Sequence, residues 1–137
     1  MIIDYLLQFT EDAGQTLTAP AGSDYCIDFG QVAPTTGYDP AQPVAVFTVK
    51  ADVAGDLLIS LQDCDTETGT YTDCATSVQF ASPAAGTQVV IPIPYRHKRY
   101  MQAYFGGTPT AGAVSGFITT GFQDNPGFEQ APSIKTA

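Results

Sequence analysis

The sequence feature with the clearest chemistry is a run of positive charge at residues 96–99, which we call the basic corner. Arg96, Lys98 and Arg99 supply three of the five lysines and arginines in a chain of net charge −9, and His97 lies among them. Such a concentration of charge predicts a site that receives an acidic partner. The alternative is a solvated turn beside the chain's own carboxylates.

Tyrosines flank the basic corner on both sides. Tyrosine and arginine are the residue types most enriched at the energetic centres of protein interfaces. The sequence therefore predicts an interface patch here. The alternative is that Tyr95, Tyr100 and Tyr104 are ordinary half-buried strand tyrosines. The predicted patch consists of Tyr95, Arg96, His97, Lys98, Arg99 and Tyr100.

The chain carries few of the residues that catalysis requires. His97 is the only histidine, and neither G-x-S-x-G nor H-E-x-x-H occurs. Acid–base or nucleophilic catalysis needs a base, a nucleophile and an orienting group in one place. A single histidine with three scattered cysteines gives no zinc-ligand spacing. We therefore predict no enzymatic activity, no cofactor and no metal site.

An acidic loop, predicted over residues 63–74, is the nearest approach to a metal-binding motif. Asp63, Asp65 and Glu67 alternate as calcium ligands do, but Gly69 falls one place late for an EF-hand and no helices flank the loop. Oxygen ligands at this spacing can still gather on a hard cation. The pattern nevertheless favours a solvated acidic loop.

The three cysteines do not form a set of paired disulfides, because their number is odd. Cys64 and Cys74 flank the acidic loop, and a disulfide between them is geometrically possible. Synthesis in a cytosol favours free thiols that act as small hydrophobic residues.

Short strands must position these residues, since alternating and β-branched segments recur with turn residues between them. No helix is convincing. Residues 100–105 alternate most clearly. Leu57, Ile59 and Leu61 are predicted to face the core, and Gly116 inside the last segment predicts a bulge or a close backbone approach. The layout predicts an all-β fold, an antiparallel jelly roll or β-sandwich of about eight strands. The predicted strands are residues 2–9, 15–18, 25–29, 44–51, 57–62, 75–80, 88–93, 100–105 and 113–120.

Two segments are too rich in proline and glycine to form regular secondary structure. Residues 30–43 predict a long loop, and residues 105–112 predict a glycine-rich hairpin connection. We divide the chain into a β domain, residues 1–121, and an irregular C-terminal arm, residues 122–137. Phe122 and Phe128 are candidate anchors of that arm on a neighbouring molecule.

Composition narrows the class of partner. Fourteen acidic residues in a chain of 137 argue against nucleic-acid binding, which needs clustered positive charge. No apolar run approaches the length of about 20 residues that spans a membrane. The first residues lack the positive region of a signal peptide, so we expect synthesis and folding in a cytosol.

Taken together, these segments resemble the small capsid cement, or decoration, proteins of tailed bacteriophages. The likeness is to the cement family of short-tailed phages that infect Bordetella and its relatives. It covers most of the chain up to Gly121 through several short fragments rather than one motif. The fragments are residues 1–9, 45–49, 58–65, 98–104 and 110–114.

The resemblance implies a jelly-roll domain that forms homotrimers on the outer capsid surface of the virion. It implies two partners, the major capsid protein and further copies of the chain itself, and no active site. Such a protein would be made in the cytoplasm of the host bacterium. A carbohydrate-binding β-sandwich on a virion or cell surface is the alternative, and it predicts an exposed aromatic platform.

Overall fold

The computed structural model describes residues 5–30, 43–76, 79–94 and 96–119, and these residues form ten strands. The described residues contain no α-helix, and one short 3-10 turn, Tyr5–Leu7, precedes the strands. No helix in the described part is long and apolar enough to cross a membrane. The strands are β1 (Gln15–Thr16), β2 (Ala21–Gly22), β3 (Ile27–Asp28), β4 (Val44–Ala54), β5 (Asp56–Cys64), β6 (Thr72–Thr76), β7 (Phe80–Ala81), β8 (Gln88–Pro92), β9 (Tyr100–Gly107) and β10 (Ala111–Thr119).

The strands form two antiparallel sheets with jelly-roll topology. The first sheet has the order β1-β10-β4-β8, and the second has the order β2-β9-β5-β6. In the second sheet β3 also pairs with β9 and β7 with β5, so the ten strands fill eight positions. The first strand pairs with the last, and successive strands pair inward from both ends of the chain, as in a folded double hairpin. The predicted all-β jelly roll of about eight strands is confirmed.

Strand alternation places the core between the two sheets. On β5, Leu57, Ile59 and Leu61 are buried, as predicted. On β9, the buried face consists of Met101, Ala103 and Phe105, which also confirms the predicted alternation. Alternate residues of a strand point to opposite faces of its sheet. One face of each central strand therefore enters the core while the other faces outward.

Gly116 on β10 marks a close approach between two parts of the core. A Cβ atom at this position would lie 2.5 Å from ring carbons of Phe47, its partner on β4. The predicted close approach is confirmed, because the glycine makes room for the phenyl ring. The register of β10 against β4 shifts nearer its start, between Ala111 and Val114.

Two predictions about local structure were wrong. Residues 2–9 were expected to form a strand, but the described part contains the 3-10 turn and a single bridge between Gln8 and Phe117. The N–H of Phe9 still donates to the carbonyl oxygen of Gly116 on β10, and its side chain is fully buried in the core, but the chain does not continue as a strand. Residues 105–112 do not join a hairpin, because β9 and β10 belong to different sheets. This connection carries the chain from one sheet to the other.

Several predicted boundaries also moved. The segment between the predicted strands 15–18 and 25–29 contains β2, and the predicted strand at residues 25–29 is reduced to β3. The acidic loop is shorter than expected, because β5 continues to Cys64 and β6 begins at Thr72. Pairing with neighbouring strands supplies backbone hydrogen bonds that local sequence patterns do not reveal. Residues 31–42 and the predicted arm, with Phe122 and Phe128, lie outside the described residues.

Candidate interaction surface

The basic corner connects the two sheets. It follows β8, an edge strand of the first sheet, and leads into β9 in the centre of the second. Tyr95 lies outside the described residues, while Arg96, His97, Lys98 and Arg99 are all described. The corner therefore lies at one end of the sandwich, where its backbone is anchored on both sides by paired strands.

His97 supports the corner from within. Its side chain is only 5% exposed, and its ring lies against Phe29 with 4.4 Å between ring centroids. The Nδ1 atom is 2.8 Å from the carbonyl oxygen of Lys98. A carbonyl oxygen only accepts hydrogen bonds, so Nδ1 carries the proton and donates. The structure therefore places His97 inside the protein, where its contribution to an interface would be indirect.

A buried carboxylate fastens the corner to the second sheet. Asp63, near the end of β5, is buried, and its Oδ2 accepts a hydrogen bond of 3.0 Å from the backbone N–H of Lys98. A carboxylate acceptor makes such a bond stronger than one between neutral groups. Asp63 is therefore a structural residue of the corner, whereas Asp65 and Glu67 lie exposed in the loop. Within the described residues no three His, Cys, Asp or Glu side chains are grouped as metal ligands.

Arg99 is already paired with the protein's own carboxylate. Its Nε and one terminal nitrogen donate to the two carboxylate oxygens of Asp28, at 2.8 and 3.1 Å. Its guanidinium also lies over the ring of Tyr100, 5.2 Å from the centroid. For Arg99, the structure therefore agrees with the alternative interpretation of the basic corner, in which the positive charge lies beside one of the chain's own carboxylates.

The Asp28–Arg99 pair predicts a small dependence of stability on pH. Hydrogen bonding to Arg99, with a further bond from the Gly30 N–H, lowers the pKa of the Asp28 carboxyl below its usual value. The stabilisation is therefore present above about pH 4 and is lost as pH falls through the lowered pKa. Because both side chains are exposed, we expect a small effect that salt weakens.

The measurement is the thermal unfolding midpoint of Asp28→Asn against the parent protein across this pH range. The variant should be slightly less stable at neutral pH, and the difference should vanish in acid. Asp65→Asn, which removes an exposed loop carboxylate, is the control. A deficit for Asp28→Asn that persists unchanged in acid would contradict the assignment.

Arg96 and Lys98 are the cations of the corner that remain available. Arg96 is exposed and Lys98 is half-buried, and neither forms an ion pair with a described residue. Their backbone is held by the bond between Lys98 and Asp63. Two positive charges are therefore presented at a fixed place on an acidic molecule.

The outer face of the second sheet beside the corner is polar and ordered. Tyr100 and Tyr104 are half-buried on β9, with Gln102 between them. Gln102 donates to Gln62 at 2.9 Å, and Gln62 donates to Asp73 at 2.8 Å. This chain of hydrogen bonds crosses three neighbouring strands and fixes the orientation of the side chains next to the corner.

All three cysteines are free thiols; Cys64 is buried, and Cys26 and Cys74 are half-buried. Burial, with the nearby Asp63 carboxylate, raises the pKa of Cys74 to about 12. Since the thiolate is the reactive form, we expect alkylation of Cys74 by iodoacetamide to be slow in the native protein at mildly alkaline pH.

Peptide mass spectrometry at several reaction times would measure the alkylation rate of Cys74. The reference is the same residue in urea, where burial is lost and labelling should become rapid. Equal rates in the native protein and in urea would contradict the protected environment.

A comparison with protein-family models identifies the group to which the chain belongs. The model named Bbp16 matches residues 11–118, which is most of the chain. The chain belongs to the Bbp16 family. This family name points to a protein of a Bordetella phage. No curated protein matches the chain.

The Bbp16 match covers the jelly roll together with the basic corner, since it extends from before β1 to the penultimate residue of β10. It excludes residues 1–10 and the predicted arm. Sequence reasoning identified the cations of the corner, but it missed Asp28, Phe29 and Asp63, which hold them. No local signal marks these three residues, because each reaches the corner from a distant part of the chain.

Proposed function

We propose that this protein is a phage capsid cement protein. It binds the outer surface of the head as a homotrimer and stabilises contacts between subunits of the major capsid protein. The observation that carries the proposal is a jelly roll of the Bbp16 family that presents Arg96 and Lys98, without ion-pair partners among the described residues, on a fixed corner. The chain's low content of charged residues, 14%, also suits a surface that packs against other subunits.

Charge complementarity defines the proposed contact. Arg96 and Lys98 face acidic residues of the capsid or of a neighbouring copy, and the tyrosines beside them supply apolar area. Complementary charges steer association and fix its register more than they add affinity. Each contact is modest, but repetition over the shell sums many contacts into a large resistance to the pressure of packaged DNA.

The proposal also defines where the protein works. It is made in the cytoplasm of the bacterial host and ends on the outer capsid surface of the virion. Its partners are the major capsid protein and copies of itself, with no nucleic acid, membrane or cofactor. It performs no catalysis, so its function is measured by binding and by the mechanical stability of heads.

The test is the mass of the purified protein by light scattering, followed by co-sedimentation with expanded phage heads that lack it. We expect a trimer that pellets with the heads and protects them against rupture by heat. A monomer that stays in the supernatant at every ratio would overturn the proposal. Unexpanded heads serve as the matched control, because they differ from expanded heads in the arrangement of the same subunits.

The alternative main function, a carbohydrate-binding module that stacks its ligand on tyrosines, predicts an exposed aromatic platform. At the basic corner Tyr100 and Tyr104 are half-buried, and the guanidinium of Arg99 covers the Tyr100 ring. The corner therefore favours contact with an acidic protein surface over stacking against a sugar.

A further inference from the structure

A small groove lies on the outer face of the first sheet, a different surface from the basic corner. Residues on the outer faces of β4 and β10 form its floor, and the segment leading into β1 forms a wall. Its volume is about 120 Å³. The side chains that give it chemical character are those of Gln8, Glu11, Asp12, Lys50, Ser115 and Phe117.

Ser115 is the unusual residue of this groove. It is only 7% exposed, and within the described part of the chain its hydroxyl forms no hydrogen bond. Val114 before it belongs to the core, so strand alternation turns Ser115 outward into the groove, opposite Thr48. Buried polar groups are almost always hydrogen-bonded, and an unmade bond costs free energy. The hydroxyl is therefore available to water or to a ligand in the groove.

The rim of the groove is held in place before any ligand arrives. Glu11 accepts a hydrogen bond of 2.6 Å from the Tyr25 hydroxyl, and Asp12 accepts one of 2.7 Å from Gln8. Each of these bonds uses one carboxylate oxygen and leaves the other to accept from a ligand. A carboxylate whose orientation is already fixed loses less entropy on binding.

The chemistry of the groove selects among ligands. Two carboxylates disfavour an anion, and Lys50 disfavours a bare cation. Hydroxyl groups of a ligand can donate to the carboxylates and also pair with Ser115, while the half-buried Phe117 offers an apolar surface to C–H groups. The volume is well below the several hundred cubic ångströms, roughly 300 or more, of a site for a drug-sized molecule. We propose that this groove binds a single unit of a neutral, polyhydroxylated ligand, a sugar residue, with millimolar affinity.

The test uses the full-length protein, labelled with nitrogen-15, and four sugars added separately at millimolar concentrations. The sugars are glucose, galactose, mannose and N-acetylglucosamine. We expect at least one to shift the amide signals of Glu11, Thr48, Ser115 and Gly116 in a saturable way. Absence of saturable shifts with all four sugars, or saturable shifts confined to other residues, would overturn the proposal.

Two variants separate binding from folding. Ser115→Ala should weaken binding about tenfold, by removing one buried hydrogen bond to the ligand, and Glu11→Gln should also weaken it. Asp65→Asn removes a carboxylate from the exposed loop outside the groove and should bind as the parent protein does.

Because the Ser115 hydroxyl has no partner in the fold, Ser115→Ala should unfold at an equal or higher temperature. A lower unfolding temperature would show that the fold already satisfies the hydroxyl, and would overturn the proposal. The measurement needs no capsid, so its result is independent of the proposed cement function.

Discussion

Replacing Phe47 with alanine is expected to lower the free energy of unfolding by about 3–5 kcal/mol. The phenyl ring is fully buried, and it stacks on Phe9 at 5.7 Å and meets Phe105 edge-on at 6.1 Å. Phe47 belongs to the first sheet, Phe105 to the second, and Phe9 to the segment before the strands. The ring therefore joins three separate parts of the fold. Because each neighbour is fixed by its own backbone, the cavity left by alanine cannot collapse easily.

Urea unfolding followed by circular dichroism would measure this loss. Val90→Ala is the control, because Val90 is 39% exposed on edge strand β8 and its truncation should cost about 0.5 kcal/mol or less. A loss for Phe47→Ala no larger than that of the control would contradict the central role of this ring.

The contact between Phe47 and Gly116 offers an internal check. A methyl group at Gly116 would lie against the ring, so Gly116→Ala should cost about 1–3 kcal/mol in the parent protein. In the Phe47→Ala background the ring is gone, and the cost of Gly116→Ala should shrink markedly. Simple additivity of the two losses would contradict the direct contact, since distant and independent sites add.

The double substitution Arg96→Gln and Lys98→Gln is expected to weaken binding to phage heads at least about tenfold while the fold is kept. These are the corner cations without an ion pair among the described residues, whereas Arg99 is neutralised locally by Asp28. Arg99→Gln should therefore weaken binding less than either of the other two changes alone. Co-sedimentation over a range of protein concentrations gives the affinity, and added salt should reduce the difference between the double variant and the parent.

A control of equal net charge separates the corner from the overall charge. Thr18→Glu with Ala19→Glu adds two negative charges at exposed positions between β1 and β2. It changes the net charge by the same amount as the glutamine pair and should bind heads as the parent does. If the glutamine pair binds normally with an unchanged unfolding midpoint, the basic corner lies outside the interface. That result would leave trimer formation and head binding to be explained by another surface.

The sequence alone determined the class of fold and the most charged place on the molecule. Alternation on β5 named its core residues, and alternation on β9 separated its two faces, because a strand turns alternate side chains to opposite faces whatever its partners are. Gly116 predicted a close approach because a glycine within a strand usually makes room for a neighbouring group, which here is the ring of Phe47. The concentration of positive charge at residues 96–99 could be recognised from the sequence alone, because the rest of the chain is acidic.

Only the tertiary structure decided which corner residues are available to a partner. Arg99 is paired by Asp28, which is 71 residues away in the chain, and His97 is covered by Phe29. Asp63 looked like one member of an acidic loop, yet it is buried and bonded to the backbone of Lys98. A sequence pattern fixes which face a side chain takes within its own strand. The partner it meets there depends on how distant strands register against one another, and that is set by packing of the whole core.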